Sequence, residues 1–171
     1  MMLCMAARTG RNLQRYNNQH HRLVVGCIPY RYKCEKMNGS SEDELEVLVI
    51  SSKKTEAMMF PKQGGWESDE SVEEAACRES LEEAGVVGKV ECELGRWVFK
   101  SKSRELYHQG FMFPLLVTQQ LDLWPEHTAR TREWMSVSEA RKACQQWWMR
   151  EALDILVNRL KSPSLEQKNQ D

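Results

Sequence analysis

Apolar positions along the chain fall into five extended runs and two helically spaced ones. Residues 22–30 (RLVVGCIPY) and 45–50 (LEVLVI) are rich in β-branched and apolar side chains, and each predicts a strand. The polar stretch between them carries Asn38-Gly39 as a turn, so the pair is expected to form a hairpin with a long polar loop. Residues 90–99, 110–118 and 132–137 predict three further strands. Pro114 cannot donate to a ladder, which points to an edge or a bulge within residues 110–118.

The helical signals are two. Residues 71–84 open with Ser71 and Glu74 in capping-box spacing and close at Gly85, a residue suited to a C-terminal cap. Cys77, Leu81 and Ala84 share one face and Val72, Ala75 and Ala76 another, so this helix is expected to be packed on two sides. Residues 138–160 predict one or two helices with Ser138 as cap, and Met149, Leu153, Leu156 and Leu160 recur with helical period beside Trp147 and Trp148 as core. Residues 161–171 are polar, contain Pro163, and are expected to be a disordered tail. There is no internal repeat and no interdomain linker.

A length of 171 residues and a mass of 20.0 kDa fit one domain, taken here as residues 19–160 behind a flexible basic segment at 1–18. No window approaches the roughly 18 consecutive apolar residues of a membrane helix, so no membrane partner is expected. The net charge of -1 hides an uneven distribution. Residues 1–34 hold six Arg and Lys without one Asp or Glu, whereas residues 61–85 hold eight acids against Lys62 and Arg78. That polarity suits a protein that holds both a cation and a polyanion. The six cysteines show no CxxC spacing, which fits reduced packing thiols better than disulfides or structural zinc. A cytoplasmic, monomeric protein is expected. The acid-free, Arg-bearing first 22 residues weakly resemble a transit peptide, leaving mitochondrion or plastid as the alternative.

The chemistry concentrates at the end of the first helix. Glu79, Glu82 and Glu83 converge within about 100 degrees of arc. Like charges at this spacing cost about 0.2–0.5 kcal/mol per pair, and carboxylates in a last turn oppose the helix dipole at about 0.3–1 kcal/mol each. A divalent cation would relieve both, and clustered carboxylate oxygens favour Mg²⁺ or Mn²⁺ over zinc.

Ahead of the helix lies Phe60-Pro61-Lys62-Gln63-Gly64-Gly65-Trp66. The series Gly64, five residues, Glu70, seven residues, Arg78-Glu79, two residues, Glu82-Glu83, one residue, Gly85-Val86 resembles the Nudix box, with eight of nine defined positions matched over 23 residues. The exception is Ser80, where a bulky aliphatic is usual. Gly26 to Arg31, Phe60-Pro61-Lys62, Trp124-Pro125-Glu126 and Trp147 to Leu153 look like a plant Nudix group similar to the diphosphoinositol polyphosphate phosphohydrolases. Gln63 departs from those relatives, which usually run Phe-Pro-Lys directly into Gly-Gly-Trp.

The resemblance implies an α+β fold, a mixed sheet sandwiched between helices. It implies Glu79, Glu82, Glu83 and the Gly64 carbonyl as ligands for Mg²⁺ or Mn²⁺, with Glu70 and Arg78 bracing loop and helix. Such a cation neutralises a diphosphate and activates a water, with Glu79 or Glu83 as the base. Arg22, Ser52, Lys54, Lys62, His108 and Arg132 are the implied phosphate contacts of a small-molecule polyphosphate substrate. The alternatives are a hydrolase of nucleoside diphosphate derivatives (ADP-ribose, NADH, diadenosine polyphosphates), with Trp66 or Trp97 stacking on a base, and a non-catalytic polyphosphate sensor. No nucleic-acid partner is expected, because no aromatic-basic interleaved surface resembles an RNA-binding module.

Overall fold

Residues 14–33, 44–53, 56–62, 66–101 and 106–161 are described in the computed structural model. Among them seven strands and three helices alternate as β1 (Arg22–Tyr32), β2 (Leu45–Ser51), β3 (Met58–Met59), α1 (Val72–Ala84), β4 (Val86–Val90), β5 (Gly95–Lys100), β6 (Tyr107–Gln120), β7 (Arg132–Ser136), α2 (Val137–Ala143) and α3 (Trp147–Lys161). One mixed sheet collects all the strands. β1 and β6 run parallel, and the remaining pairings are antiparallel. Val24 to Tyr30 are buried without alternation, so both faces of β1 are covered. α1 packs on β1 and β4, α2 on β2 and β7, and α3 on β5. The α+β arrangement is the expected one.

The β1–β2 hairpin forms as expected, with Tyr30 opposite Val47; its loop lies outside the described residues. Residues 90–99 are not one strand. β4 and β5 are separate antiparallel partners of β6, and the chain breaks between them at residues 91–94. Nor is Pro114 at an edge. β6 is flanked by β1 along one side and by β5 then β4 along the other. Pro114 sits where the partner changes, its carbonyl accepting from Glu91 N–H at 3.0 Å, so the absent N–H falls at a gap in the ladder.

α1 is turned differently from its apolar pattern. Cys77 is exposed and Leu81 half-buried, while Ala75, Ala76, Glu79, Ser80, Glu82, Glu83 and Ala84 are buried. Carboxylates therefore occupy the inward face that periodicity assigns to hydrophobes. The cap of α2 is Ser136 with Glu139 closing the capping box, not Ser138. Trp148, Met149, Leu153 and Leu156 are core as expected, but Trp147 is 49% exposed. Within the segment assigned to the N-terminus, Gln14 bridges Glu67 and Tyr16 bridges Arg22.

Candidate active site

α1 is fixed at both ends by local chemistry. Ser71 Oγ accepts from Glu74 N–H at 3.1 Å, and Glu74 Oε1 accepts from Ser71 N–H at 3.3 Å. Gly85 ends the helix at φ 66°, a left-handed conformation that strains any residue with a Cβ. Between these caps the three acids point inward: Glu79 is 0%, Glu82 8% and Glu83 1% exposed.

Arg78 ties loop to helix. Its guanidinium pairs with both oxygens of Glu70 (Nη2 to Oε1 2.8 Å, Nε to Oε2 3.0 Å) and reaches Glu79 Oε1 at 2.8 Å and Glu82 Oε2 at 3.3 Å. Glu67 N–H also donates to Glu70 Oε1, at 3.0 Å. Burial by itself would lower the Arg78 pKa, but the Glu70 hydrogen bond and the charges of Glu79, Glu70 and Glu82 outweigh it and hold the side chain cationic. Glu70 and Arg78, expected to brace loop and helix, are paired with each other by two hydrogen bonds.

Glu83 takes its donors from elsewhere in the chain. Lys62 N–H donates to Oε2 at 2.9 Å, and Arg130 Nη2 lies 3.5 Å from Oε1. The Arg130 side chain is fully buried and also donates to the Ser51 carbonyl at 2.8 Å and pairs with Glu126 at 3.4 Å. Lys53 closes the network on Glu126. The acids are thus partly compensated by the protein itself, because Arg78 folds back onto its neighbour Glu79 and Arg130 arrives from the segment before β7. Among the described residues they do not close into one preformed metal cluster.

One oxygen remains over. Glu79 Oε2 is buried without a hydrogen-bond partner. Burial first, and the Glu83 charge second, push the Glu79 carboxyl well above the ordinary carboxylate range. A hard cation fits here, since it would take the orphan oxygen and offset both the burial and the Glu83 charge that raise the pKa. Gly64, the expected carbonyl ligand, lies outside the described residues, as does Lys54.

Three of the expected substrate contacts, Lys62, His108 and Arg22, follow one another through neighbouring side chains and strands. Lys62 extends its ammonium over Phe99 at 5.4 Å, Phe99 meets His108 edge-on at 5.5 Å, and His108 is the cross-strand neighbour of Arg22. Gly26 permits this, because a Cβ there would meet the Pro61 carbonyl at 2.6 Å and Lys62 Cβ at 2.8 Å. Ser52 lies beside Ser51 and the Arg130 network. Arg132 joins neither group. Its guanidinium donates to the Ala84 carbonyl at 2.9 Å and stacks 4.0 Å from the Trp124 ring, because β7 delivers it to the C-terminal end of α1 rather than to the carboxylates. Sequence patterning missed the parts played by Phe99 and Glu126. Trp124-Pro125-Glu126 was the available signal for the second; nothing marked the first.

Neither tryptophan considered for base stacking stands free. Arg15 covers a face of Trp66 at 4.4 Å, and Trp66 Nε1 donates to the Glu70 carbonyl at 2.9 Å. Trp97 Nε1 donates to Glu151 at 2.8 Å, and its ring lies against Gly95. Ser80 is fully buried beside Cys27, where its small side chain fills less of the core than a bulky aliphatic would.

The NUDIX domain family matches residues 20–155. The chain is 62% identical over 169 residues to Nudix hydrolase 17, mitochondrial, of Arabidopsis thaliana, covering 99% of this chain and 91% of that protein. It is 38% identical over 132 residues to diphosphoinositol polyphosphate phosphohydrolase 2 of Mus musculus, covering 76% of this chain and 66% of that one. A solved C. elegans Ap4A hydrolase shares the fold with a TM-score of 0.60 at 21% identity, over 81% of this chain and 96% of that one. Domain match, relatives and the braced carboxylate helix agree: the chain belongs to the Nudix family, hydrolases of phosphoanhydride bonds that generally need divalent metal ions.

Proposed function

We propose that this Nudix hydrolase removes the β-phosphate from diphosphoinositol polyphosphates. The observation that carries the reading is the continuity of the site. The box carboxylates are linked through Lys62 and Phe99 to His108 and Arg22 on one flank, and through Arg130 to the Ser51 carbonyl and, by way of Glu126, to Lys53 on the other. A ligand with many phosphates needs donors spread in this way, each group meeting its own. The mouse relative named a diphosphoinositol polyphosphate phosphohydrolase supports the same substrate class. The engaged states of Trp66 and Trp97 count against stacking on a nucleobase.

In this reading Glu79, Glu82, Glu83 and the Gly64 carbonyl hold Mg²⁺ or Mn²⁺, and Glu70 and Arg78 keep loop and helix in register. The cation supplies charge neutralisation at the diphosphate and acidification of water. Glu79 or Glu83 accepts the proton as water oxygen attacks the β-phosphorus. The bridging P–O bond breaks, orthophosphate leaves, and the α-phosphate stays on the inositol ring. Arg22, Ser52, Lys54, Lys62 and His108 hold the remaining phosphates. The protein acts as a monomer, and its compartment is the mitochondrion or the plastid rather than the cytoplasm, a placement supported by mitochondrial and chloroplastic plant relatives and tested by imaging a tagged full chain.

The deciding experiment measures orthophosphate release with Mg²⁺ from a diphosphoinositol polyphosphate, beside hydrolysis of ADP-ribose and a diadenosine polyphosphate. Unsubstituted protein is compared with Glu82→Gln and Glu83→Gln. Preference for the inositol substrate, lost in both variants, is expected. Turnover confined to the nucleotides would overturn the substrate, and binding without turnover would leave a sensor.

A further inference from the structure

Carbonyls in the last turn of a helix lack partners further along it, and in α1 two of them belong to site acids, Glu82 and Glu83. No basic residue lies in the last turn of this helix to offset its negative end. The compensation comes instead from one remote segment, residues 121–132. Glu126 N–H donates to the Glu82 carbonyl at 3.0 Å, and Trp124 Nε1 to the Glu83 carbonyl at 3.0 Å. Arg132 Nη1 donates to the Ala84 carbonyl at 2.9 Å and to the Gly85 carbonyl at 3.3 Å, which also accepts Leu121 N–H at 2.8 Å.

The segment is itself closed around Arg132. The guanidinium carbon sits over Trp124, 4.0 Å from the ring centre, and Nη2 donates to the Leu121 carbonyl. Gly85 admits this packing, since a Cβ there would meet Arg132 Nη1 at 2.7 Å and Trp124 Cβ at 2.8 Å. A turn at residues 125–129 then brings Arg130 back to Glu83. One loop thus holds the backbone beneath Glu82 and Glu83 and touches the side chain of the latter.

We infer that Trp124 and Arg132 are positioning residues, which set the height and rotation of the Glu82 and Glu83 carboxylates for the cation by satisfying the carbonyls beneath them. This rests on the metal-site reading proposed above. Lysine cannot replace Arg132, because a single ammonium cannot reach the carbonyls of Ala84, Gly85 and Leu121 at once from a place over the indole.

The test is direct Mn²⁺ binding followed by paramagnetic resonance of the free ion, with thermal unfolding of the same samples. Trp124→Phe keeps an aromatic ring under Arg132 while removing the donor to Glu83 together with part of the indole, and Arg132→Lys keeps the charge. Removal of an outer partner of a metal ligand commonly costs 10–100-fold in affinity, so each variant is expected to bind Mn²⁺ about tenfold more weakly. The metal-free melting temperature of Trp124→Phe should stay near that of the unsubstituted protein, and KM at saturating metal should be unchanged in both. Equal Mn²⁺ affinity in all three proteins would overturn the positioning role and leave the metal site standing. No Mn²⁺ binding by the unsubstituted protein would overturn the metal-site reading itself, and this inference with it.

Discussion

Glu83 Oε2 receives the backbone N–H of Lys62 at 2.9 Å, so the residue that carries a candidate phosphate contact also fixes a box carboxylate through its main chain. The two contributions separate under substitution. Lys62→Met keeps the N–H and removes the ammonium over Phe99. A hydrogen bond to a charged group is worth about 1.5–3 kcal/mol, and 1.4 kcal/mol is about tenfold, so KM should rise about tenfold or more. With the carboxylate still held, kcat and melting temperature should be close to those of the unsubstituted enzyme. An unchanged KM would remove the Lys62 side chain from the substrate site.

Arg78 and Glu70 form the best-defined ion pair of the site, with two hydrogen bonds and side chains 12% and 5% exposed. Removing one member of a buried pair costs about 3–5 kcal/mol, because the other charge is left without compensation. Arg78→Met should therefore lose about that much in urea unfolding. It should also abolish turnover, since Glu79 and Glu82 lose their shared cation. The double variant with Glu70→Gln should lose much less than the sum of the singles. Additive losses would show the pair to be uncoupled.

The box was legible because its chemistry is local: a loop glycine, a capped helix and acids at fixed spacing can be counted along one segment. Its burial was not legible. Helical periodicity placed both the Cys77–Leu81 face and the Ala75–Ala76 face inside, yet Cys77 is exposed and Glu79 and Glu83 share the buried face with the two alanines, because Arg78, Lys62 N–H and Arg130 satisfy them there. Two of those three donors belong to other parts of the chain, beyond the reach of any pattern within the helix. The strand that carries Arg132 was legible, but its place in the sheet was not, for the same reason. Pairing with β2 decides where that guanidinium lands, and the pairing is long-range. Pro114 follows the rule that proline avoids ladder donors, but the rule was met by an exchange of partner strand rather than by an edge.

The orphan Glu79 Oε2 predicts a thermal signature for the cation. A ligand at about 100 times its dissociation constant stabilises by about 2.7 kcal/mol. For a chain of this size Mg²⁺ or Mn²⁺ should then raise the melting temperature by about 5–10 °C. Glu79→Gln should fold without metal and lose most of that rise. A full shift in Glu79→Gln would exclude this carboxylate from the cation's ligands.

Cys27 makes the seam between β1 and α1 report on pH. Its thiol is completely buried and donates to the Ala76 carbonyl at 3.4 Å. Burial pushes its pKa from the ordinary 9.0 up to about 12; the Ser80 hydroxyl pulls downward, and Cys77 and Glu79 add slightly to the rise. The folded protein keeps this proton where the unfolded chain releases it. The resulting stability is complete below pH 9, and it is lost as pH rises from there to about 12. Between those limits one such group accounts for about 1.4 kcal/mol per pH unit. Cys27→Ala should be less stable than the unsubstituted protein at pH 8, through the lost packing, and its guanidinium midpoint should decline less steeply on going to pH 10.5. In the same pH 8 buffer iodoacetamide should label the exposed Cys92 and spare Cys27. Labelling of both at one rate would mean that α1 lifts from β1 in the native state, and the carboxylates it carries would not then be held as described.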